Sequence, residues 1–174
     1  MLSREEISES KLDEKFMREV VSQAEKRLAD LLEAKKSTDG KSTALFAAYV
    51  AAASASFSIG ALVARGGPIG DKGLWFFIAG LAFASGAAAF ALALRPGKFG
   101  YMGSEPQMWM TPKWVDGEPG RVELMLGYLA SFYQDRIDLT DRANQARYRI
   151  FIAGLYFGMA GAASFAVSLL LTLF

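Results

Sequence analysis

Three long stretches without a charged side chain dominate this chain of 174 residues. They cover residues 43–64, 74–94 and 150–174, and none of them contains Asp, Glu, Lys, Arg or His. At about 1.5 Å of rise per residue, each would form a helix of about 30 Å or a little more, which is the hydrocarbon thickness of a bilayer. A helix that packs on the core of a small soluble protein normally keeps a polar stripe. The sequence therefore predicts an all-α integral membrane protein with three transmembrane helices.

The lack of charge within these stretches also restricts function. Pumps, voltage sensors and coupled transporters carry ionisable groups at membrane depth, because that chemistry needs groups that bind ions or change charge. The chain has no Cys and no His, so disulfides and the usual zinc, haem and triad chemistries lack their side chains. We predict a protein that is not an enzyme, with no catalytic residue, no metal site and no cofactor. A net charge of only +1 gives no indication of a basic surface that would bind nucleic acid.

Basic residues near the membrane are distributed unevenly between the two sides of the predicted spans. One side carries Lys35, Lys36, Lys41, Arg95, Lys98, Arg136, Arg142, Arg147 and Arg149, and the other carries Arg65 and Lys72. By the positive-inside rule, the N-terminus and the segment 95–149 are expected to be cytoplasmic. The hairpin loop and the C-terminus are then outside.

Residues 1–42 are expected to form a cytoplasmic amphipathic helix, over about 10–36, followed by a hinge. Its apolar stripe recurs at helical spacing: Leu12, Phe16, Val20, Ala24, Leu28, Leu31 and Leu32. Ser37–Gly40 contains capping residues and a glycine, which are typical of a helix end. Three surfaces could cover the stripe: the protein's own second cytoplasmic helix, another copy, or the membrane surface.

The predicted hairpin 43–94 and the third span 150–174 are rich in small residues. These recur at four-residue spacing in each span: Ser56 and Gly60, then Gly80, Ala84 and Ala88, then Gly154, Gly158 and Ala162. Small residues let helix backbones approach closely in a bilayer. We expect Gly80, Ala84, Gly154 and Gly158 to mediate helix packing, and similar faces to support a homo-oligomer. The hydroxyls of the spans are expected to bond to the backbone one turn earlier rather than to line a pore.

The segment 95–149 offers the only room for a specific site. Its first part is a loop with a candidate recognition surface of Phe99, Tyr101, Trp109 and Trp114, although such aromatics also serve as interfacial anchors. From residue 121 the periodicity predicts one long helix that continues into the third span. Arg142, Arg147 and Arg149 would lie at the cytoplasmic mouth, where an oligomer could gather them into a ring. Each could instead extend to lipid headgroups.

The order of these features resembles a known group of proteins. The residues concerned are Asp39, Gly40 and Lys41, then Arg95 and Pro96, then Phe99, Gly100 and Tyr101, and finally the run 144–149 before the last span. In this order, around a two-span hairpin, they resemble the transmembrane effectors of Pycsar and related bacterial antiphage systems, including the SLATT group. The resemblance implies an effector that responds to a nucleotide second messenger or a partner sensor and then impairs the bacterial inner membrane. It carries over no nucleotide-binding residue.

Three functional hypotheses follow. The first is an effector that oligomerises and permeabilises the membrane, with the lipid bilayer, further copies of itself and a nucleotide or sensor protein as partners. The second is a non-catalytic accessory or scaffolding subunit of a larger membrane complex. The third is a membrane-bound enzyme that uses the acidic residues near the aromatic loop, Glu105, Asp116, Glu118 and Glu123. Solvated loop charges are the ordinary interpretation of those four.

Overall fold

The computed structural model describes residues 14–65, 71–95, 99 and 121–173, and within these ranges all regular structure is helical. Helix α1 covers Glu14–Arg65, α2 covers Asp71–Ala93 and α3 covers Arg121–Leu173. Each contains a window long and apolar enough to cross a membrane. The prediction of an all-α membrane protein with three spanning helices is confirmed.

Two of the helices are far longer than a bilayer requires. Helix α3 has 53 residues, which confirms that the helix beginning at Arg121 continues into the third span. Helix α1 has 52 residues and passes through Ser37–Gly40 without interruption, so the predicted hinge is wrong. A glycine inside a helix costs only about 1 kcal/mol relative to alanine. The helical turns packed on both sides of the segment stabilise the helix by more than that. Gly40 itself has open space around it, so no neighbour forces the chain out of the helix there.

The chain divides into two compact units, and the boundary between them crosses α1 and α3 at positions inside each helix. Unit 1 comprises Met1–Lys35 and Gly97–Asn144, and unit 2 comprises Lys36–Pro96 and Gln145–Phe174. The sequence divisions after residues 42, 94 and 149 mark where charge-free segments begin and end. The compact units divide the chain by packing instead, so the two sets of boundaries describe different properties.

Unit 1 is held together by an apolar seam between the first part of α1 and the first part of α3. Met17, Val21 and Leu28 of α1 form a buried cluster with Leu126 and Tyr133 of α3. The contributions of each helix are spaced by multiples of about three and four residues, the spacing that keeps a stripe on one helix face. The stripe of α1 is therefore covered by the protein's own second helix, which was one of the three predicted alternatives.

The position of the seam differs from the sequence prediction at its beginning. Phe16, predicted to be in the stripe, is 61% exposed, while its neighbour Met17 is buried. Val21 is likewise buried in place of Val20, which is half-buried. Farther along, Leu28 and Leu31 are buried as predicted, and Leu12 lies outside the described residues. In its first two turns, α1 thus buries residues one position later in the chain than the predicted ones.

Two polar contacts fix the direction of the helices in unit 1. The hydroxyl of Tyr133 donates a hydrogen bond to the Glu25 carboxylate at 2.8 Å. The side-chain amide of Asn144 donates to the backbone carbonyl of Leu31 at 2.9 Å. Because later residues of α1 meet later residues of α3, the two segments run parallel.

Unit 2 is a three-helix bundle in which α2 runs antiparallel to the other two helices. The ring centroid of Tyr49 in α1 lies 5.1 Å from that of Phe90 in α2, and the centroid of Phe57 in α1 lies 6.1 Å from that of Phe77 in α2. Between α2 and α3, the ring centroids of Phe76 and Phe165 are 5.4 Å apart, as are those of Phe90 and Phe151. The most apolar window of α2 is 44% buried, against 17% for α1 and 22% for α3. Helix α2 is therefore the most enclosed of the three, and aromatic rings fill the interior around it.

Candidate functional site

One arginine connects all three helices at one end of unit 2. Nη1 of Arg147, on α3, donates to the Oδ1 atom of Asp39, on α1, at 2.7 Å. Nη2 of the same side chain donates to the backbone carbonyl of Arg95, just beyond the last residue of α2. Each of the three residues lies within about one helical turn of the end of a charge-free stretch. We call this arrangement the Arg147 clamp.

The chemistry of the clamp suits an arginine. The last carbonyl groups of a helix have no partner within the helix and carry the negative end of its dipole. A guanidinium offers five N–H donors in a planar fork, so it can bind such a carbonyl and a carboxylate at the same time. The side chains of Arg147 and Asp39 are only 12% and 29% exposed. Removing one partner would leave a poorly solvated charge, which costs more than losing a surface ion pair.

The three arginines predicted at the cytoplasmic mouth have different environments. Arg147 is engaged within the protomer, as described above. Arg149, also in unit 2, is exposed, and Arg142, in unit 1, is exposed as well. A ring built from all three would first require Arg147 to leave the clamp. The sequence could not reveal this, because Asp39 and Arg147 are separated by 108 residues and no local pattern connects them.

Ser42 is a second polar feature near the clamp that sequence reasoning missed. It lies three residues after Asp39 on α1, its side chain is 1% exposed, and its Oγ atom has no hydrogen-bond partner among the described residues. A serine at the start of an apolar run gives no signal by itself. The side chain is thus buried at the same end of unit 2 as the clamp.

Several hydroxyls of the spans bond to the backbone one turn earlier, as predicted. Ser54 donates to the carbonyl of Val50 at 2.9 Å, Ser58 to that of Ser54 at 2.8 Å, and Ser168 to that of Ser164 at 2.9 Å. Such bonds satisfy a hydroxyl inside its own helix. These three hydroxyls therefore need no hydrogen-bond acceptor on another helix.

The glycines predicted to pack the spans lie against aromatic rings. A Cβ atom at Gly80 would lie 2.7 Å from the ring of Phe57, and one at Gly154 would lie 2.8 Å from that of Phe90. The closest approach is at Gly158, where a Cβ would be 1.6 Å from the hydroxyl oxygen of Tyr49. Ala84 is different, because it is exposed and does not join this packing within the protomer.

The candidate recognition loop can be followed at one residue. Phe99 is half-buried in unit 1, and Nζ of Lys35 lies 4.8 Å from the centroid of its ring, a cation–π geometry. Tyr101, Trp109 and Trp114 lie outside the described residues, as do Glu105, Asp116 and Glu118. Of the acidic residues considered for catalysis, Glu123 alone is described, in the first turn of α3.

No family model, no curated protein and no solved structure matches this chain.

Proposed function

We propose that this protein is a membrane effector of bacterial antiphage defence, which the Arg147 clamp holds closed until a signal releases it. Once released, the oligomer permeabilises the inner membrane. The observation that carries the proposal is the clamp itself, a single half-buried cation that links Asp39 of α1 to the backbone at the end of α2. The resemblance of the residue order to known antiphage effectors supports the same function.

The clamp is suited to a closed state that can be released. The side chain of Arg147 on α3 makes the links to both α1 and α2, so a single event can break both. A nucleotide second messenger would do so by offering phosphate oxygens, which bind a guanidinium as well as a carboxylate does. A sensor protein would do so by displacing α1 or α3. In either case the trigger would act by weakening the bond between Arg147 and Asp39.

The permeable path would lie between protomers rather than within one. The interior of unit 2 is occupied by the buried rings of Phe76 and Phe90, and its helices carry no charge at membrane depth. A passive path needs neither coupled protons nor an ion-binding carboxylate. With the basic side of the spans facing the cytoplasm, the clamp would lie at the inner membrane surface and the C-terminus outside.

Membrane potential in cells tests the proposal. Asp39→Asn keeps the side-chain size but removes the charge that holds Arg147, and we expect it to depolarise cells without any phage or added signal. Arg149→Gln is the matched control, because it removes an exposed cation from the same helix and should leave cells polarised. Adding Gly154→Leu and Gly158→Leu to the Asp39→Asn variant should abolish depolarisation by disrupting the packing of the spans.

A particular outcome would contradict the proposal. If Asp39→Asn reaches the membrane at the wild-type level and cells keep their potential, the clamp does not hold an effector closed. The non-catalytic scaffolding subunit would then be the better hypothesis. Purification from native membranes would test it, because recovery of the protein alone would count against a larger complex.

A further inference from the structure

Ser42 departs from the rule that neighbouring hydroxyls of α1 follow. Its side chain is 1% exposed, and its Oγ atom has no hydrogen-bond partner among the described residues. A serine or threonine inside a helix can donate to the carbonyl one turn earlier, and Thr43 does so, with the carbonyl of Asp39 as acceptor at 2.9 Å. The equivalent acceptor for Ser42 would be the carbonyl of Thr38. The packing of unit 2 therefore holds this hydroxyl away from the partner that its own helix offers.

The contacts on either side of Ser42 place it inside unit 2, next to the Arg147 clamp. Asp39 of the clamp precedes Ser42 by three residues. Tyr49 follows it by seven, and its ring packs against Phe83 and Phe90 of α2. Asp39 and Tyr49 both lie within about 60° of Ser42 around the helix, and Asp39 is about 4.5 Å away along the axis. Ser42 thus faces the interior of the bundle, between the clamp and the aromatic rings.

Ser56 shows that burial alone does not leave a hydroxyl of α1 unpaired. It is 0% exposed, yet its Oγ atom donates to the carbonyl of Ala52 at 2.8 Å. The two serines share a helix and a degree of burial, and they differ in the hydrogen bond. A buried hydroxyl without a partner has lost the bonds that it makes with water when exposed, which disfavours the arrangement that buries it. Ser42 therefore disfavours the clamped arrangement of unit 2, whereas Ser56 does not.

We propose that Ser42 is a built-in destabiliser of the clamped end of unit 2, and that it sets how strong a signal must be to release the Arg147 clamp. The clamp holds the helix ends together. The buried hydroxyl favours their separation, because an open end gives it access to water or to the oxygen atoms of lipid headgroups. The inference rests on the proposed effector function and supplies the regulation of that function.

A destabiliser at this position lowers the demand on the trigger. A ligand shifts an equilibrium only by as much as its affinities for the two states differ. Moving a population from 1:99 to 99:1 requires about a ten-thousandfold preference for the favoured state. Each tenfold by which Ser42 weakens the closed state reduces the required preference by the same factor. Serine rather than alanine at this position makes a weaker trigger sufficient.

The reaction rate of a buried thiol measures the opening of this end. Ala93 of α2 is 2% exposed and lies two residues before Arg95, and the chain has no cysteine, so Ala93→Cys supplies a single reporter. When closing is fast, labelling by a maleimide in mixed micelles follows the population of the open form. We expect Ser42→Ala to slow labelling about tenfold, because it removes the unpaired hydroxyl. Ser56→Ala is the matched control and should change the rate by less than about twofold.

Labelling of Ser42→Ala at the wild-type rate or faster would overturn the inference, because the hydroxyl would then be neutral or stabilise the closed state. Unfolding of the same variants without the reporter excludes an effect of the new cysteine. Ser42→Ala should be more stable than Ser56→Ala, and equal or lower stability would also overturn the inference.

The two proposals can fail separately. If Ser42→Ala slows labelling while the Asp39→Asn variant leaves cells polarised, Ser42 is a destabiliser but the protein is not an effector that the clamp holds closed. If Asp39→Asn depolarises cells while Ser42→Ala labels at the wild-type rate, the effector stands and the role of Ser42 is rejected.

Discussion

Gly158→Ala should be among the most destabilising single-atom additions in unit 2. The new Cβ would lie 1.6 Å from the hydroxyl oxygen of Tyr49 and 2.1 Å from Cζ, far inside van der Waals contact. The ring cannot retreat towards α2, because it already lies so close to Gly86 that a Cβ there would be 2.6 Å from Cδ2. Phe83 and Phe90 hold its edges at centroid distances of 5.7 and 5.1 Å.

The magnitude follows from the absence of room. Overpacking of a well-packed core costs about 1–3 kcal/mol and occasionally more. Because Tyr49 is confined on both sides, we expect the upper end, about 3 kcal/mol, which is roughly a hundredfold change in the folding equilibrium. Reversible unfolding of the purified protein in mixed micelles measures it. Gly73→Ala is the matched control, since a Cβ there would have no neighbour closer than 3.7 Å and the substitution should be neutral or stabilising.

A double-mutant cycle separates the clash from a general effect of the substitution. Tyr49→Ala removes the ring, so Gly158→Ala made in that background should cost little or nothing. The reasoning would be refuted if Gly158→Ala cost no more than Gly73→Ala. It would also be refuted if the cost stayed the same after Tyr49 was truncated.

Three further changes test the rest of the fold. Leu28→Ala should cost about 2–5 kcal/mol because Leu28 is fully buried in the seam of unit 1, whereas Phe16→Ala should change stability by less than about 0.5 kcal/mol; chemical denaturation distinguishes the two. Tyr133→Phe should cost about 1 kcal/mol through loss of its bond to Glu25, and a Glu25→Gln variant, which can still accept, should cost less. Gly40→Ala should raise helicity or leave it unchanged by circular dichroism, while Gly40→Pro should lower it; a gain from proline would contradict a continuous α1.

Much of the fold follows from local sequence. The absence of charge over three segments suffices to predict the spans, since only helices satisfy their own backbone groups in lipid. The continuity of α3 also follows from its periodicity. The break predicted at Ser37–Gly40 is wrong because the weak helix propensity of these residues costs little free energy. Tertiary packing holds α1 in the helical conformation on either side of them.

The rest depends on contacts between distant residues. Met17 is buried in the seam and Phe16 is exposed, and the choice between these neighbours depends on how α1 packs against α3. The Arg147 clamp joins positions 108 residues apart, so each member looks like an ordinary charge at a membrane boundary. Glycine spacing identified positions of close approach, but it could not separate Gly80, which packs within the protomer, from Ala84, which is exposed.

Permeability of liposomes containing only the purified protein tests the central claim most directly, because no other cell component can then form the path. Arg147→Gln removes the charge on which the clamp depends, and Arg149→Gln removes an exposed charge two residues away. The account predicts that Arg147→Gln releases a small entrapped dye while the wild type and Arg149→Gln retain it. Retention by all three, or equal release by all three, would contradict an effector that the clamp holds closed.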